Sequence, residues 1–87
     1  MMVEKYLSIE AKELRNKMQM ARYVLSQQIN FLKAKNADFE EIAELSHKIE
    51  TLHEMERLGV KNLSTVQLIK VARIIEEVES LLPAQEN

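Results

Sequence analysis

An all-α fold is what this sequence predicts, and three observations carry it. Leu7, Ala11, Leu14, Met18, Ala21, Leu25, Gln28 and Leu32 recur at heptad spacing over roughly 25 residues, with no glycine or proline between them. One glycine and one proline in the whole chain are too few for the turns of a strand-rich fold. Two more apolar stripes of helical period follow, each bounded by start and stop signals. The expected architecture is one domain over residues 1–87, a three-helix chain. An antiparallel, coiled-coil-like helical hairpin carries a third helix, and the whole dimerises into a helical bundle.

Helix one is expected over about residues 3–34, from Val3 or from a candidate cap at Ser8. Lys35-Asn36-Ala37-Asp38 then breaks the pattern. Helix two spans about 39–57, with Asp38 as its cap and Glu41 reaching back in a D-x-x-E version of the capping box. Its stripe is Ile42, Leu45, Ile49, Leu52 and Met55; Gly59 fits the left-handed position after it, and Val60 is placed to touch Met55. Helix three spans about 65–82. Ser64 and Gln67 form its capping box, and Leu63 packs on Leu68 as a staple. Its stripe is Leu68, Val71, Ile75, Val78 and Leu82, with Pro83 as the stop and 83–87 as a tail.

Charge divides by helix. Residues 1–35 carry seven basic and three acidic side chains, and residues 36–58 carry two basic and seven acidic ones. Opposite flanks across a short connection favour an antiparallel hairpin and select its partner, although exposed pairs add little stability. If the turn centres near Asn36-Ala37, facing residues have numbers summing to about 73, because antiparallel helices advance at one rate. Helix two then ends short of Leu7, Ala11 and Leu14, so either helix three or a second chain must cover them. Met20, Val24, Phe31, Ile74 and Leu81 lie off the main seams, and this apolar surplus favours a homodimer. Gln28 is the one polar seam position. It either fixes register as a buried amide or sits in water at the seam's edge.

Composition excludes more than it assigns. At 87 residues the chain builds only a modest core, for which oligomerisation is a natural remedy. With no cysteine there are neither disulfides nor thiolate metal sites. No apolar run reaches transmembrane length, and Met1-Met2-Val3-Glu4-Lys5 lacks a signal-peptide core, so no membrane association and a cytoplasmic location are expected. A net charge of −2 argues against general nucleic-acid affinity.

Four short constellations bear on chemistry. Glu44-Leu45-Ser46-His47 and Glu50-Thr51-Leu52-His53 each end an E-x-x-H, the spacing used by di-iron bundles. By the register above, His53 faces Met20 and His47 faces Ser26, where helix one has no acid. Solvated surface pairs are expected, with no metal and no cofactor.

Leu58-Gly59-Val60-Lys61-Asn62-Leu63-Ser64-Thr65-Val66 resembles the turn of bacterial helix-turn-helix proteins, L-G-V-S-x-x-T-V, with one extra residue after Gly59. The resemblance implies a reading helix that offers Gln67, Lys70 and Arg73 within a corner over 58–73. Glu76, Glu77 and Glu79 follow and would repel phosphate.

Met20-Ala21-Arg22-Tyr23-Val24-x-Ser26-Gln27 resembles the M-A-R-F-I-x-S-Q stretch of the Rop family of plasmid proteins, four-helix dimers that grip paired RNA hairpins. The resemblance covers about a quarter of the chain and implies an RNA-binding face at Lys12, Gln19, Tyr23 and Gln27, with Arg22 inside the matching stretch. That family's last lysine of the face falls on Ala34 here, flanked by Lys33 and Lys35. Basic and amide groups around one aromatic suit phosphate and base contact. The plainer expectation is a solvated outer face whose bases pair with helix two.

Ser46-His47-Lys48-Ile49-Glu50 resembles the S-Q-E-L-D signature of small sporulation phosphatases, helical hairpins that dephosphorylate a response regulator. Glu50 replaces the aspartate expected to act and His47 the glutamine, so the activity does not carry over. No Ser/His/Asp grouping or phosphate-cradling glycine loop points to another enzyme. The expected function is therefore a small non-catalytic regulator or adaptor that presents helical surface to a protein partner. The eight seam residues form its oligomer or partner surface. Nucleic-acid binding through helix one or the 58–73 corner is the alternative.

Overall fold

A computed structural model describes residues 9–81. Among these residues there are three α-helices, α1 (Ala11–Ala34), α2 (Phe39–Leu58) and α3 (Thr65–Leu81), a 3-10 turn at Val60–Asn62, and no strand. The fold is all-α.

The start of α1 differs from the expectation. Glu10 has extended backbone (φ −67°, ψ 147°) and no side-chain capping bond, so helix does not run unbroken from Val3 or Ser8, both of which lie outside the described residues. The physical reason is packing: Ile9 lies against the hydrophobic core, and an extended Glu10 lets it turn inward. Helical bonding begins where the Leu14 N–H donates to the Glu10 carbonyl at 2.9 Å.

Asn36, with φ 60°, closes α1. Its N–H donates to the Lys33 carbonyl at 3.1 Å and the Ala37 N–H to the Leu32 carbonyl at 3.0 Å. Those two bonds are a Schellman turn with asparagine in the left-handed place. Asp38 occupies the N-cap position of α2 but makes no side-chain capping bond, so the expected D-x-x-E box does not form. Glu40 and Glu41 still place negative charge beside the orphan N–H groups of the first turn.

Gly59 ends α2 at φ 96°, the positive φ expected there, but with ψ 123° the chain leaves extended instead of closing a left-handed cap. A Cβ at this position would sit 3.0 Å from Asn62 Nδ2. Asn62 is held there because Nδ2 donates to the Leu58 carbonyl at 2.9 Å and its N–H to the Gly59 carbonyl at 2.8 Å. The extra residue noted in the 58–66 stretch is thus taken up in a 3-10 turn. The Ser64–Gln67 box forms as expected: the Ser64 N–H donates to Gln67 Oε1 at 2.8 Å and the Gln67 N–H to Ser64 Oγ at 3.2 Å.

Twelve apolar side chains form the buried core, and no polar or charged side chain is buried among the described residues. Met18, Leu25, Leu52, Val71, Ile75 and Val78 are its largest fully buried members. Burial of Val71, Ala72, Ile75 and Val78 seats α3, and two ion pairs mark where it lies. Glu79 meets Lys17 of α1 at 3.4 Å, and Glu77 meets Lys48 of α2 at 2.6 Å. Carboxylates two residues apart reach both helices, so α3 bridges the hairpin. Leu14 is 3% exposed and Ala11 packs against the core, so α3 of the same chain supplies cover that helix two was expected to leave missing. Leu7 and Leu82 lie outside the described residues.

Candidate functional site

The seam splits into a buried half and an open half. Leu14, Met18, Ala21 and Leu25 are at most 3% exposed, within the chain's own core. Ala11, Gln28 and Leu32 are half-buried. Gln28 is therefore neither a buried amide nor fully in water. From residue 26 to residue 51 no side chain is buried, although the stretch contains Ile29, Leu32, Ile42, Leu45 and Ile49, all half-buried. Phe31 is 58% exposed and Phe39 80%. In this distal half of the hairpin, its tip, α3 reaches Lys48 through Glu77, and Leu45 and Ile49 lie against the edge of the core.

Helical spacing shows which side of the tip is open. On α1, Lys17, Ala21, Val24, Gln28, Phe31 and Lys35 follow one another at alternating steps of four and three, a single stripe. Its near end packs on α3 through Lys17, and its far end carries Phe31 with the Lys35 ammonium 5.0 Å over the ring. On α2, Met55, Leu52, Lys48, Leu45 and Glu41 form the matching stripe, meeting α3 at Lys48. Along one side of α3 lies an open cleft of about 390 Å³ walled by Arg73, Glu76, Glu77 and Ser80.

The predicted binding face of helix one is only partly assembled. Lys12, Gln19, Tyr23 and Gln27 are all exposed on one side of α1, and Tyr23 is 64% exposed. Arg22 leaves this group. Its Nε donates to Glu56 Oε2 at 2.7 Å and a terminal nitrogen to Glu56 Oε1 at 3.1 Å, a two-point pair across the hairpin. The pair's numbers sum to 78 instead of the expected 73. Each Cα–Cβ bond tilts toward its own helix's N-terminus, so the two side chains lean toward one another along antiparallel axes.

His47 and His53 are exposed on α2, and among the described residues no three His, Cys, Asp or Glu side chains are grouped to hold a metal ion. In the 58–73 corner, Gln67 is engaged in its cap, while Lys70 and Arg73 are exposed. The sequence reading missed the cleft beside α3 and the two ion pairs from that helix to the hairpin. It also placed Ile74 among the surplus, whereas Ile74 is 9% exposed in the core. None of these has a local signal, because each depends on where α3 crosses. No described helix is long and apolar enough to span a membrane. No protein-family model, no curated protein and no solved structure matches this chain.

Proposed function

We propose that this chain is a small, non-catalytic, cytoplasmic regulator or adaptor that acts by helix-mediated protein–protein interaction, with the hairpin tip as its docking surface. One observation carries the reading: no side chain is buried over residues 26–51 although Ile29, Leu32, Ile42, Leu45 and Ile49 lie there, and Phe31 is 58% exposed beside them. Contiguous apolar surface of this kind on a small domain marks a contact site. A homodimer is the simplest assembly of this type.

Affinity capture from the source cell's lysate, with nuclease present and absent, tests the proposal. Wild-type protein should retain a protein partner in both cases, and the Phe31→Glu variant should not. Recovery of nucleic acid alone would reverse the ranking.

A second reading rests on the α1 outer face. Lys12, Asn16, Gln19, Tyr23, Gln27 and Asn30 are exposed there with no carboxylate among them. On that reading Tyr23 stacks on a base, a contribution of about 1–3 kcal/mol, and Lys12, Arg15 and Lys33 contact phosphate. Gel-shift titration against duplex DNA, paired RNA hairpins and single-stranded RNA at two salt concentrations decides it. Salt-sensitive binding lost in Tyr23→Ala supports this second reading, and absence of a shift supports the first.

A further inference from the structure

We draw no further inference here: the strongest candidate, the surface patch of half-buried apolar side chains at the hairpin tip together with the exposed Phe31, belongs to the docking surface already described, and nothing in the structure shows what covers it.

Discussion

Leu25 and Leu32 are seven residues apart on one stripe of one helix, yet Leu25 is 1% exposed and Leu32 is only half-buried. The same contrast holds on α2, where Leu52 is fully buried and Leu45 is not. The root of the hairpin and its tip have the same apolar period, a similar polar exterior and continuous helical bonding. They differ in burial: the core takes in the root and stops short of the tip. A heptad pattern therefore specifies that a face will be covered, and the number and length of the other elements decide how much of it is.

That comparison breaks first at Leu25. Leu25→Asp puts a carboxylate into a core that contains no polar side chain, and the expected outcome is loss of the cooperative fold, read as collapse of the far-UV circular dichroism. A folded variant would mean the root is not the core.

The contrast is measured more finely by matched truncations. Leu52→Ala should cost about 2–5 kcal/mol in denaturant melts, because a fully buried side chain leaves a cavity as well as losing transfer energy. Leu32→Ala should cost less than half as much in the monomer, since water already reaches the site. Equal costs for the two variants would erase the distinction between root and tip.

Smaller effects probe the devices that hold α3 over the root. Ser64→Ala removes one half of a reciprocal cap and should lower stability by about 1 kcal/mol. No change in the melt would show that the corner is held by packing of Val60 and Leu63 alone. Smallest of all, Arg22→Gln should cost about 0.5–1 kcal/mol at low salt, and less as salt rises, because the pair with Glu56 is only half-buried. A larger and salt-independent loss would assign the guanidinium a packing role in the hairpin.

Legibility in the sequence followed the range of the forces involved. The Ser64–Gln67 box was readable because both partners lie within one turn of helix, and Gly59 because its positive φ is a local requirement. Asp38 had the residue pattern of a box but not its bonds. Its neighbouring Schellman turn already fixes the chain's path at that point, and nothing in a four-residue pattern records that. The outer face of α1 was legible as a set of residue types. Arg22 was not legible as absent from it, because its carboxylate partner lies 34 residues further along the chain.

By itself, then, the sequence determined three helices, their approximate ends, the apolar stripe on each and the sign of each flank. These follow from periodicity and from hydrogen bonds between near neighbours. Only the tertiary structure decided that α3 crosses both helices at the root, that Leu14 and Ile74 are core, and that Phe31 stands uncovered at the tip. Helix–helix packing is set by side-chain surfaces far apart in the chain, and several crossings satisfy the same stripes. The one adopted here buries the root of the hairpin and leaves Phe31, toward its far end, 58% exposed.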